Sequence, residues 1–132
     1  MQDSPFYENL AAELKAWFQA AVNRALAAGI SPEKIVLDPG IGFGKNLSDN
    51  LQIIRCLAEI CGNDYPVLVG LSRKSFIGEI TGRDAVERLP GTLAANGAAI
   101  KNGADIIRVH DVKEHMDLVK VLFALRHSPE RV

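Results

Sequence analysis

The chain has 132 residues, 48% of them hydrophobic and 23% charged, with a formal net charge of -1 and a mean hydropathy of +0.07. That composition suits one soluble globular domain or part of one. It excludes a basic nucleic-acid face, and no apolar run reaches the ~20 residues that a membrane-spanning helix needs.

The start, with Asp3 and Glu8 and no basic, apolar leader pattern, predicts no secretory signal and a cytoplasmic protein. The first helix is predicted over 7–28, because Leu10, Leu14, Trp17, Phe18, Ala21, Val22 and Leu26 recur on one face. Gly29 is a plausible left-handed stop. A strand follows at Ile35, Val36 and Leu37. The second helix is predicted over 47–61, with Leu47, Leu51, Ile54, Ala58 and Cys61 on one face, Asn46 or Ser48 as cap and Gly62 as stop. Cys56 and Cys61 have the spacing of neither a redox pair nor a zinc site and read as reduced thiols. The second strand, 67–70, is apolar on both faces, as in a parallel strand covered on both sides.

A short helix is predicted over 74–80, then a loop over 81–84. Another helix covers 89–102, with Pro90 in its first turn and a face of Ala and Gly suited to close packing. Gly103 ends it and 104–109 is the third strand. Asp111 to Glu114 resembles a capping box with Asp as cap, and the last helix runs over 112–126 before a frayed tail. The order α-β-α-β-α-α-β-α points to a parallel sheet with ligand groups at the carboxyl ends of its strands.

Each strand ends in polar chemistry. After the first comes Gly40-x-Gly42-x-Gly44. It is not a dinucleotide fingerprint, because Lys45 replaces the third glycine. It is not a phosphate-binding P-loop, because Pro39 and Asn46 stand at required positions. Asp38 could accept two hydrogen bonds from an amidine-like edge, each about 1.5–3 kcal/mol when charge-assisted, and Phe43 could stack on a flat ligand. The alternative is a tight turn with Asp38 bonding local amides. Ser72, Arg73, Lys74 and Ser75 enter a helix from a strand, a setting that favours anions or carbonyl oxygens. Lys74 could bond a ring carbonyl or nitrogen and Arg73 a carboxylate; the alternative is a solvated basic turn. Arg108 and His110 share one strand face, with Val109 on the other. An arginine there is costly unless paired, and a helix begins beside it, which suits a pyrophosphate clamp. The alternative is a buried Arg–Asp pair with a structural histidine. His115 and His127 read as solvated.

Four stretches, DPGIGFGKN, GLSRKSFIG, RLPGTLAA and GADIIRVHDV, closely resemble, in order and spacing, the carboxy-terminal half of bacterial dihydropteroate synthase. The first seven residues resemble the family's segment before the helix that precedes strand six. The resemblance covers essentially the whole chain. It implies an α/β fold: a partial (β/α)8 TIM barrel with a parallel sheet, carrying strands six, seven and eight, so that residues 1–132 form an incomplete barrel domain. The family condenses 6-hydroxymethyl-7,8-dihydropterin pyrophosphate with para-aminobenzoate to 7,8-dihydropteroate and pyrophosphate in folate synthesis, and is the sulfonamide target.

By that resemblance Asp38 bonds the pterin's amino-pyrimidine edge. Lys74 contacts the pterin and helps order the aminobenzoate site, and Gly70 lines the floor. Phe43, Ser72 and Arg73 border the aminobenzoate pocket, and Arg108 and His110 hold the departing pyrophosphate. Lys74, Arg108 and His110 are the implied catalytic groups. The full-length family uses Mg2+ through an Asn on the first strand's loop. That Asn, a mobile Arg-bearing second loop and further pterin-binding Asp and Asn residues have no counterpart here, so no metal site or cofactor is expected in this chain. A barrel takes ~250 residues, so a fragment with little synthase activity alone is expected. Exposed barrel edges predict a homo-oligomer. The implied partners are dihydropterin pyrophosphate and para-aminobenzoate, with no nucleic acid or membrane. Three alternatives stay open: a non-catalytic pterin- or anion-binding half-site, a pterin-binding methyltransferase domain, and half of a split barrel that needs a separate amino-terminal chain. The Ser-Arg-Lys-Ser and Arg-Val-His-Asp runs weigh against the methyltransferase.

Overall fold

Helical periodicity governs most of the chain, and the computed structural model, which describes residues 3–127, turns it into six α-helices around a small parallel sheet. Helix α1 spans Asp3–Ala27. It buries Ala11 and Phe18 and half-buries Leu10, Leu14 and Val22. Trp17 and Leu26, predicted on the same face, stay exposed at 58% and 38%. Gly29 follows at φ 93°, which only glycine adopts readily. A 3-10 turn at Pro32–Lys34 leads into the first extended segment.

The strand predicted at 35–37 contracts to one parallel bridge, Leu37 with Val67. Leu37 N–H donates to Pro66 O, and Leu68 N–H to Leu37 O. The two longer strands also shorten, to β1 at Leu68–Val69 and β2 at Ile106–Ile107, paired in parallel with Leu68 opposite Ile106. Among the described residues the first segment and β2 each have a neighbour on one side only, so the ladder is short at both margins. The consecutive parallel order is that of part of a β/α barrel.

The helix predicted over 47–61 divides into α2, Leu47–Arg55, and α3, Leu57–Cys61. Its N-terminus carries a reciprocal capping box. Asn46 accepts from Asp49 N–H at 2.8 Å, and Asp49 accepts from Asn46 N–H at 3.2 Å. Helix α4 covers Ser75–Thr81 and ends in left-handed Gly82. A 3-10 turn, Ala85–Glu87, occupies the connection to α5, Leu89–Lys101, and α6 spans Val112–His127. The small face of α5 packs closely: a Cβ at Gly91 would lie 2.5 Å from Ile77 Cγ2.

The core lies on the helical side of the sheet. Ile35, Leu37, Val67 and Val69 point there, with Ile53, Leu57, Ile60, Phe76, Ile77 and Ala99. The alternate positions are open: Val36 is 47% and Ile106 41% exposed, Leu68 is half-buried, and Asp38 and Arg108 are exposed. The second strand is therefore not covered on both sides, as its sequence predicts. The helices of this chain cover one face, and the open face runs up to the polar strand ends. On α6 the sole buried side chain is His115, while Val121, Phe123 and Leu125 are exposed. No described helix is long and apolar enough to cross a membrane.

Candidate functional site

Three loops converge at the carboxyl ends of the strands. In the first, Gly40 N–H donates to Asp38 Oδ1 at 2.8 Å. The turn predicted as the alternative is thus present, yet the carboxylate stays exposed. Gly42, at φ 89°, donates its N–H to Oδ1 of buried Asn50 at 2.8 Å. Lys45 Nζ donates to Gly40 O at 2.8 Å and Phe43 O at 3.1 Å, closing the loop on itself.

The second loop reaches into the first through Lys74. Its ammonium donates to Ile41 O and stands 4.6 Å from the ring centroid of Phe43, which is 69% exposed. Gly42 makes room: a Cβ there would lie 3.0 Å from Lys74 Cδ. Burial holds the Lys74 amine below its ordinary value; Asp38 opposes this, while Arg108 and Lys45 add to it. Those couplings mark Asp38, Lys45, Lys74 and Arg108 as one electrostatic neighbourhood.

Arg73 has a left-handed backbone, φ 59°, unlike any other described non-glycine residue. Three contacts hold it. Its N–H donates to Thr92 Oγ1 at 3.0 Å, its carbonyl accepts from Arg88 Nη1 at 2.9 Å, and its guanidinium grips Asp111 through Nη2–Oδ1 at 2.9 Å and Nε–Oδ2 at 3.4 Å. Both Asp111 oxygens are thereby engaged by Arg73. The Asp that sequence reasoning offered as a helix cap, or as a partner for Arg108, serves the neighbouring loop instead.

The third loop carries Arg108 and His110. Arg108 is exposed, so water offsets the cost of its charge, and its side chain lies against Gly70: a Cβ there would sit 3.4 Å from Nη2. The buried Arg–Asp pair is not formed at Arg108. His110 Nδ1 lies 2.8 Å from Ser72 Oγ, and the same oxygen accepts from His110 N–H at 3.2 Å. Ser72 is 8% exposed and so fixes the imidazole from below. His115 is not solvated as predicted. It is 2% exposed and bonded at both ring nitrogens, to Asn96 and Asp111. His127 is exposed and packs on Phe123 at 4.2 Å between centroids.

All eight residues picked from sequence, Asp38, Phe43, Gly70, Ser72, Arg73, Lys74, Arg108 and His110, lie on these three loops or the strand ends that enter them. Sequence reasoning missed Asn50, Arg88, Thr92 and Asn96, which support them. Thr92 and Asn96 carried a readable signal: two polar residues four apart, on one face of an otherwise small and apolar helix. Among the described residues no group of three or more His, Cys, Asp or Glu side chains can hold a metal ion. A groove of ≈ 390 Å³ between α2, α4 and α5, lined by Ile54, Phe76, Ile80 and Ala95, shares no residue with the rim.

A family model described as pterin binding enzyme matches residues 1–110. The chain belongs to the pterin-binding enzyme family. It is 45% identical over 130 residues to the dihydropteroate synthase of Escherichia coli K12, covering 98% of this chain and 46% of that one. The synthase of Synechocystis is 46% identical over 126 residues, covering 95% and 44%. Among solved structures, the Xanthomonas albilineans synthase with 4-aminobenzoic acid superposes with a TM-score of 0.89 at 40% identity, covering 97% of this chain and 47% of that one. The Yersinia pestis synthase with a sulfonamide drug gives 0.88 at 42% identity, covering 98% and 47%. The chain spans about half the length of the relatives it matches.

Proposed function

We propose that this chain is the carboxy-terminal half of a dihydropteroate synthase, carrying strands six to eight of a (β/α)8 barrel. The observation that supports this most is the joining of three strand-end loops into one rim: Lys74 bonds Ile41, His110 meets Ser72, and Arg108 lies along Gly70. Relatives at this level of identity are dihydropteroate synthases, and a Xanthomonas albilineans relative was solved in complex with 7,8-dihydropteroate.

On this reading, Asp38 accepts hydrogen bonds from the pterin's amino-pyrimidine edge. Lys74 donates to a pterin ring acceptor, and Phe43, Ser72 and Arg73 border the aminobenzoate. Arg108 and His110 face the pyrophosphate. The bond between the pterin's methylene carbon and pyrophosphate oxygen breaks, and its electron pair leaves with pyrophosphate. The amine of para-aminobenzoate forms the new C–N bond and loses a proton. Positive charge at Arg108, fixed before reaction, stabilises the leaving group as its charge develops. The chain's residues bind, orient and neutralise; none acts as a nucleophile. Turnover requires the half that the relatives have and this span lacks. The open sheet face and exposed α6 side chains favour self-association in its absence. The substrates are small molecules, and the net charge of -1 gives no reason to invoke nucleic acid.

The test is a synthase assay on the purified chain, alone and mixed with the complementary half of the Escherichia coli relative. Product only in the mixture supports the reading. Robust product from the chain alone contradicts the requirement for a second half, and a mixture that forms a complex without product contradicts the synthase assignment.

A further inference from the structure

We infer that Asn96 and His115 are positioning residues that set the anion-facing rim from inside the helical layer, an inference that rests on the rim's reading as a pyrophosphate site. His115 Nδ1 lies 2.8 Å from the Asp111 carbonyl, which can only accept, so Nδ1 carries the ring proton. Nε2, 2.9 Å from Asn96 Nδ2, then accepts from the amide. Both side chains are buried, at 0% and 2% exposure.

The bonds form a closed circuit. Asn96 on α5 fixes His115 on α6, and His115 holds the Asp111 carbonyl. The Asp111 carboxylate holds the Arg73 guanidinium. The Arg73 N–H returns to Thr92, one helical turn before Asn96 on the same face of α5. The circuit ties the turn that carries His110 to the strained residue Arg73. It supplies an anchor that neither loop has by itself. The mechanism uses none of Thr92, Asn96 or His115. The Asn96 Oδ1 atom is buried without a partner, so the amide is held by this one directed bond. A helix built only for packing would not place two fully buried polar side chains here.

The test compares His115→Phe and Asn96→Leu with the native chain. His115→Phe keeps a ring but removes both bonds. Asn96→Leu keeps the side chain's volume but removes the donor to Nε2. Three quantities are read on folded protein: affinity for inorganic pyrophosphate, affinity for 6-hydroxymethylpterin, and the exchange-protected Arg73 Nε–H signal in 15N spectra. In His115→Phe the expected result is a pyrophosphate affinity about 10-fold weaker, pterin affinity within about 2-fold, and loss of the Arg73 signal. Asn96→Leu, which leaves His115 its bond to Asp111, is expected to weaken pyrophosphate about 3-fold or more, with pterin affinity within about 2-fold. An unchanged Arg73 signal and pyrophosphate affinity in His115→Phe would overturn the inference, as would equal loss of both ligands. If the native chain binds no pyrophosphate, the rim's assigned role fails, and the Arg73 signal alone decides whether the circuit positions that side chain. If His115→Phe does not fold, weaker pyrophosphate affinity and a lost Arg73 signal in folded Asn96→Leu support the inference, and retention of both in that variant overturns it.

Discussion

The left-handed backbone at Arg73 means that strain and charge at one residue can be separated by two substitutions. Arg73→Ala removes the ion pair with Asp111 but keeps a Cβ at φ 59°. That pair is partly exposed, at 39% and 21%, so after screening it contributes about 0.5–1 kcal/mol. Arg73→Gly removes the same pair and relieves a left-handed cost of about 1–2 kcal/mol. Glycine's extra freedom in the unfolded chain takes back about 0.5–1 kcal/mol. Arg73→Ala should therefore be about 1 kcal/mol less stable than the native chain, and Arg73→Gly close to native. With a urea slope of about 1.5 kcal/mol per molar, the two variants should differ by about 0.5 M in midpoint. Urea unfolding followed by circular dichroism measures this directly. An Arg73→Gly midpoint at or below that of Arg73→Ala would refute the claim that the loop stores strain at this residue.

Gly78→Ala should destabilise by about 1–3 kcal/mol although alanine favours helices. Its Cβ would overlap Arg88 Nη2 and expel the guanidinium from the Arg73 and Arg83 carbonyls; thermal unfolding reads the shift. Burial, then Asp38, push the Cys61 thiol up to about 11 from 9.0. Its thiolate fraction at pH 8 is then roughly 100-fold lower than that of an ordinary thiol, so half-exposed Cys56 should be alkylated first. For the same reason stability should fall as pH rises from 9.0 towards about 11, where the unfolded thiol ionises first. Lys74, held below 10.5 chiefly by burial, has the opposite sign for stability: as pH approaches 10.5 from below the unfolded chain binds more protons than the folded one, so this group's contribution rises with pH there. Pterin affinity, which uses the charge, should fall in the same window, and calorimetric titrations across alkaline pH would follow it.

The helices were legible because glycine, proline and 3.6-residue periodicity mark them at close range. Those predicted over 89–102 and 112–126 match α5 and α6 within a residue. The division of α2 from α3 was not legible, because its cause is distant: Asn102 Nδ2 donates to Ile54 O at 3.0 Å, the carbonyl that an unbroken helix would give to Ala58. The strands contract because their pairing partners, unlike their composition, are set by the rest of the sheet. Asp38, Phe43, Arg73, Lys74, Arg108 and His110 could be picked from local motifs, since each sits at a strand end or in the loop that follows it, whereas Gly70 and Ser72 entered only with the family resemblance. The supporting set could not be read as a set. His115 looks solvated until α5 is placed against α6, and Asp111 looks like a cap until Arg73 is brought to it.

A folded half of a pterin-pyrophosphate site should bind its ligand even without turnover. A calorimetric titration of the chain with 6-hydroxymethyl-7,8-dihydropterin pyrophosphate, beside Asp38→Asn, tests it most directly. The native chain should bind saturably and the variant at least about 10-fold more weakly, the scale of one lost charge-assisted hydrogen bond. Equal binding by both, or none by a chain shown to be folded, would contradict it.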